Sequence, residues 1–272
     1  MAREVAMNIQ TPIDTASILL RRTERGIAWL TLNRPAARNA LSVALMSALA
    51  EALDDCAGDP AVRVVVIGGA GPAFCAGHDL REIRANPAED VMSALFAQCS
   101  ALMTRIVRLP KPVIARVHGI ATAAGCQLVA SCDLAVAASD ARFATPGVNI
   151  GLFCSTPMVA LSRAVPRKAA MEMLLTGDLI EAARAREIGL VNRVVAPEAL
   201  DGSVTALAAQ IAGKSARTLA IGKEAFYRQA EMDLDAAYRY AAQVMTRNMM
   251  AHDAGEGIDA FLARRVPCWA DR

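Results

Sequence analysis

Along the first third of the chain the rhythm of apolar positions changes from one segment to the next. "SILLRRTERGIAWLTLNRP" alternates about a polar turn at Thr23 to Gly26, which predicts a β-hairpin from about Ile18 to Leu32, stopped by Pro35. In "VALMSALAEALDDCAG" the apolar residues instead recur every three or four positions behind Ser42, the pattern of a capped amphipathic helix. "VRVVVIGGAG" is an unbroken β-branched run ending in glycines and reads as a strand buried on both faces. The loop "GPAFCAGHD" leads to a short helix, and a longer helix from about Asp90 to Leu109 is closed by "PKP".

"VIARVHG" and "LAVAAS" read as further strands, with a helix between them and "ARFATPGVN" continuing into a loop. After Pro157 the pattern is mostly helical; "VNRVVA" alone still reads as a strand, and helix follows helix from Pro197 to Ala263. Strand–helix units first and helices last predict an α/β fold with parallel strands and a helical C-terminal appendage.

Composition narrows the class. Of 272 residues 54 % are apolar and only 4 % aromatic, which fits one compact Ala/Val/Leu-rich domain with a flexible N-terminal tail over residues 1–16. A net charge of +2 without any Lys/Arg cluster speaks against a nucleic-acid partner. Seven cysteines without a CxxC pair read as reduced thiols, and three scattered histidines speak against a zinc site. "MAREVAMNIQTPIDTAS" has no apolar signal region and no run approaches the ~18 apolar residues of a membrane span, so the expected location is the cytoplasm.

Two segments share a layout of strand, small-residue turn and helix start: "GGAGPAFCAGHDL" and "VHGIATAAGCQL". Such turns leave backbone N–H groups unscreened, and two of them facing one point would hold an oxyanion. Tightly packed turns with no ligand have the same appearance, so the residues alone leave both readings open. Phosphate binding is the weaker competitor, because neither GxGxxG nor GxxxxGK[ST] occurs, and no GxSxG elbow supports a serine nucleophile.

Four segments in order, "NRPAARNALS", "FCAGHDLREI", "KPVIARVHGIATAAGCQLVASCDLAVA" and "FATPGVNIGL", resemble the successive signatures of the crotonase (enoyl-CoA hydratase/isomerase) superfamily, from about Ile18 to Trp269. The resemblance implies a spiral of ββα units over residues 17–205. It also implies a C-terminal helical region over 206–272 that builds homotrimers or dimers of trimers. The implied ligand is a coenzyme A thioester, used as substrate with no permanently bound cofactor. Its carbonyl oxygen would lie between the N–H groups of His78 and Ala124. Ala76 and Leu80 would offer main-chain contacts to the adenine, and Arg38 would meet a phosphate, with Lys223, Arg264 and Arg265 as further phosphate candidates.

At two positions the chain departs from the hydratase pattern. Gln127 and Gly147 stand where two glutamates would handle water and proton, and neither residue can transfer a proton. Efficient enoyl-CoA hydration is therefore not expected. Two alternatives follow: decarboxylation of a malonyl-type CoA, which needs no base, with His78 as proton donor, or acyl-CoA binding without chemistry. His78 can equally border the coenzyme channel with no catalytic part. Asp79 reads as a helix cap, Glu82 as solvated or ion-paired, Cys126 and Cys154 as packed small hydrophobes, and His118 as a structural hydrogen-bonding residue.

Overall fold

The computed structural model describes residues 17–272, so the expected flexible tail over residues 1–16 lies outside the described residues. The chain opens with the predicted hairpin, β1 (Leu19–Glu24) and β2 (Ile27–Leu32), antiparallel about Arg25 and Gly26. Helix α1 (Val43–Gly58) follows, with Ser42 Oγ accepting from the Leu45 N–H at 3.2 Å. Its buried stripe, Leu45, Met46, Leu49, Ala52, Leu53 and Cys56, has the three- and four-residue spacing of the sequence. Strand β3 (Val64–Gly69) is buried at all six positions, as a central parallel strand requires.

Next come α2 (Leu80–Ala85), α3 (Glu89–Arg108), β4 (Val113–Val117), β5 (Ile120–Thr122), α4 (Ala124–Ser131), β6 (Leu134–Ala138) and β7 (Arg142–Ala144). The chain continues through α5 (Ser155–Ala164), α6 (Arg167–Thr176), β8 (Ile180–Glu181), α7 (Ala182–Glu187) and β9 (Arg193–Val195). Four helices close it: α8 (Leu200–Ala212), α9 (Ala216–Gln229), α10 (Leu234–Met249) and α11 (His252–Leu262).

The main sheet has the order β1-β2-β3-β4-β6-β9, parallel from β2 onward. A second sheet, β5-β7-β8, lies apart from it. Single-residue bridges carry the second layer back along the chain, Cys75 against Ala121 and Leu41 against His78. Each turn of the chain thus feeds one strand to each layer before its helix, which makes the fold a spiral of ββα units.

Three short strands depart from the sequence reading. β5, β7 and β8 have three, three and two residues, too few for an alternation to register, and they overturn the expectation of a loop at "ARFATPGVN" and of a single strand after Pro157.

The expected boundary at 205 also falls inside a helix. α8 (Leu200–Ala212) packs Leu200, Val204, Leu207 and Ala208 against Ile27, Val64, Val66, Ile114 and Val136 of the main sheet. By contrast α9 buries little beyond the side chain of Lys223, and α10 buries only Val244. Their surroundings leave Leu234, Tyr238, Met245 and Phe261 (on α11) exposed.

Candidate functional site

The second layer brings the two small-residue turns together. The Cys75 N–H donates to Ile120 O at 3.1 Å and the Thr122 N–H donates to Cys75 O at 3.0 Å. Two glycines permit the approach. A Cβ on Gly125 would lie 2.1 Å from Cys75 O, and one on Gly77, which has φ +95°, would lie 2.8 Å from the Ala123 Cβ and 3.4 Å from the Ala124 nitrogen. The chain before His78 therefore rests against the chain that carries Ala124.

Ala123 itself has φ +50° and ψ −119°, a conformation that costs a non-glycine residue on the order of 1–3 kcal/mol. It is held there by its N–H donating to Ala144 O at 2.9 Å. Because Ala123 caps α4, Ala124 is the first helical residue and its N–H has no acceptor within the helix. Neither that N–H nor the His78 N–H finds an acceptor among the described residues.

The His78 ring lies edge-on to Phe96 with centroids 5.5 Å apart, and its buried Nε2 has no hydrogen-bond partner. Burial lowers its pKa below the ordinary 6.5, so at neutral pH it is an uncharged imidazole. Gln127 is buried one helical turn beyond Ala124, where its Oε1 faces the Cys99 thiol at 3.9 Å.

Gly147 is buried on the turn after β7, and a Cβ there would lie 2.6 Å from Leu152 O and 2.9 Å from Cys154 Sγ. Two residues before it, the fully buried Thr145 hydroxyl has no partner. The sequence reading missed Thr145, Phe96 and Cys99, which carry no motif and matter only through what they touch.

Arg38 and Ala76 are neighbours: the Ala76 N–H donates to Arg38 O at 3.0 Å. Arg38 and Leu80 are exposed beside the His78 turn. Lys223 is elsewhere and does not serve as a free phosphate partner. Its side chain is 8 % exposed, and its ammonium donates to Asp133 Oδ2 at 2.6 Å and to the carbonyls of Ile106 and Lys111 at 3.0 Å each. These three acceptors use all three of its protons. Asp133 accepts in addition from the Val113 N–H at 2.7 Å and from the Tyr227 hydroxyl at 2.9 Å. Lys223 and Tyr227 thereby fasten α9 to the core. Burial lowers the Lys223 pKa, opposed by Asp133, and raises that of Tyr227.

The remaining candidates have structural partners. Asp79 caps α2, accepting from the N–H groups of Arg81 and Glu82, and pairs with Arg34 at 2.9 Å; that bond to Arg34 lowers its pKa. Glu82 accepts from the Val43 N–H at 3.0 Å and so steadies the start of α1. His118 Nε2 lies 2.8 Å from Gly71 O. Cys126 is fully buried, which pushes its thiol up to about 12, and Cys154 is buried beside Gly147. Arg265 pairs with Glu256 at 2.6 Å.

The model of the enoyl-CoA hydratase/isomerase family matches residues 22–272. The chain belongs to that family. It is 47 % identical over 249 residues to enoyl-CoA hydratase domain-containing protein 3, mitochondrial, of Rattus norvegicus, covering 92 % of this chain and 83 % of that protein.

The crystal structure of the human enoyl-CoA hydratase domain-containing protein 3 superposes with a TM-score of 0.91 at 45 % identity, over 93 % of this chain and 100 % of that one. An enoyl-CoA hydratase of Mycobacterium smegmatis gives a TM-score of 0.91 at 57 % identity, over 93 % and 99 %. The expected cytoplasmic location does not stand, because the vertebrate relatives are named as mitochondrial proteins.

Proposed function

We propose that the chain binds an acyl-CoA thioester, its carbonyl oxygen held between the N–H groups of His78 and Ala124, and that it is not an efficient enoyl-CoA hydratase. One observation carries the reading: two N–H groups on turns packed against each other across Gly77 both lack an acceptor. Donors fixed in advance toward one oxygen stabilise an enolate without reorganising, and one such donor is typically worth about 10²–10³ in rate. Arg38, beside Ala76 on the exposed rim, supports a phosphate contact for the coenzyme.

Gln127 and Gly147 argue against hydration, since each absent acid–base group removes about 10²–10⁴ of rate. Decarboxylation of a malonyl-type thioester is the second reading, because loss of carbon dioxide yields the enolate with no base. The low pKa of His78 speaks for water rather than an imidazolium as its proton source. The exposed apolar side chains of α10 and α11 support contact between copies of the chain, in a homotrimer or a dimer of trimers.

Calorimetry with crotonyl-CoA and methylmalonyl-CoA, followed by mass spectrometry of the products, tests both readings. The expected result is saturable binding, with hydration at least about 10⁴-fold slower than by a two-carboxylate hydratase. Release of carbon dioxide favours decarboxylation, and binding with no product leaves a pure acyl-CoA binder. Absence of binding, or fast hydration, overturns the proposal.

A further inference from the structure

Gln127 keeps a polar side chain at a buried place where it can transfer no proton. It lines a cavity between α3, α4 and α5. Among the described residues of that lining, Gln127 and Ser131 are the buried polar ones, and the Ser131 hydroxyl already donates to Gln127 O at 2.8 Å. Of the charged residues on the same lining, Arg108, Arg163 and Glu231 are exposed, and Asp133 is held by Lys223 and Tyr227.

The two ends of the Gln127 amide have different surroundings. Its Oε1 faces the Cys99 thiol of α3 at 3.9 Å. Cys99 is fully buried, which pushes its pKa up to about 11, so the thiol keeps its proton. Sulfur is a weak acceptor, so the contact favours S–H toward the amide oxygen and turns the amide nitrogen the other way. That Nε2 donates to no described residue.

Resting on the acyl-CoA reading above, we propose that Gln127 selects thioesters with an acceptor oxygen on the third acyl carbon, the 3-oxoacyl class, by donating from Nε2, and that Cys99 is the positioning residue that aims the amide.

Helix geometry supports the placement. Side chains of an α-helix lean toward its N-terminus, and residues three apart share a face about 5–6 Å from each other. Gln127 therefore leans back over Ala124, whose N–H would hold the thioester oxygen, and meets the first carbons of the acyl chain. A saturated acyl chain would strip water from the amide protons and leave them unmatched. A 3-oxo group replaces that water with a hydrogen bond.

Calorimetry with acetoacetyl-CoA and butyryl-CoA tests this on the full chain, because the two acyl groups match in length and differ by a carbonyl in place of a methylene. The unaltered protein should bind acetoacetyl-CoA about tenfold more tightly. Gln127→Leu should bring that ratio to about one. Gln127→Met serves if the leucine variant does not fold. Cys99→Ala leaves the amide free to turn and should cut the ratio to about threefold or less, while Cys99→Ser, which keeps a donor, should restore it.

Equal affinity for both thioesters in the unaltered protein, or a preference that survives loss of the Gln127 amide, overturns the inference while leaving acyl-CoA binding standing. A ratio that Cys99→Ala does not move, or that Cys99→Ser does not restore, overturns the part given to Cys99. Absence of binding by both thioesters overturns acyl-CoA binding itself.

Discussion

At the start of α4 the segments around Cys75, Gly77, Ala123 and Gly125 touch so closely that a methyl group on either glycine would strike its neighbour. One turn further along α4, and on the loop after β7, the side chains are Gln127 and Gly147, and no ionisable group occupies either position. The first region is specified by backbone against backbone; in the second, Gln127 is a single buried side chain, while Gly147 is itself pressed against the Leu152 carbonyl. A change in the first region or at Gly147 disturbs the fold, whereas a change at Gln127 bears mainly on chemistry. On the reading proposed above, ligand class and reaction rest on different residues, and family membership speaks to the first more firmly than to the second.

The largest expected effect tests the second region. Gln127→Glu restores one carboxylate and should raise crotonyl-CoA hydration about 10²-fold or more over the unaltered protein in a steady-state assay. No rise in a folded variant would show that position 127 does not face the reacting carbons, and the contrast would collapse.

Lys223→Ala sets the scale for a side-chain interaction that does hold structure. It leaves the Asp133 carboxylate buried beside an empty site and should cost about 3–5 kcal/mol in urea denaturation. Gly125→Ala tests the first region, because its Cβ meets Cys75 O; a loss of about 1–3 kcal/mol is expected, together with weaker acyl-CoA binding. An unchanged affinity would show that the turns tolerate separation.

The smallest effect concerns His78. Below pH 6.5 the imidazole of the unfolded chain takes up a proton that the buried ring does not, so stability falls as the pH drops toward the lowered folded pKa. The slope from this group is at most about 1.4 kcal/mol per pH unit, and His78→Gln should remove it from the pH profile of the unfolding free energy.

What could be read from the sequence follows the same division. The hairpin and α1 were legible because their periods run over six residues or more, β3 was legible as an unbroken apolar run ending in glycines, and the α1 cap fell at Ser42 as expected. The small strands β5, β7 and β8 were not, since two or three residues carry no period.

The turns were visible as runs of small residues, but their apposition depends on Cys75 meeting Ala121, which local pattern does not encode. Lys223 was misassigned for a related reason: its partner Asp133 lies 90 residues away, and a lysine in "GKEAF" looks like any surface lysine.

Lys223 has a thermodynamic consequence as well. It fastens α9 to the core on one side, and α9 packs with α10 on the other. Anything that shifts the core beneath α9 and anything that covers α10 then bear on one shared element. If a ligand tightens self-association by some factor, self-association tightens that ligand by the same factor. Titrating crotonyl-CoA at two protein concentrations would measure that reciprocal coupling directly.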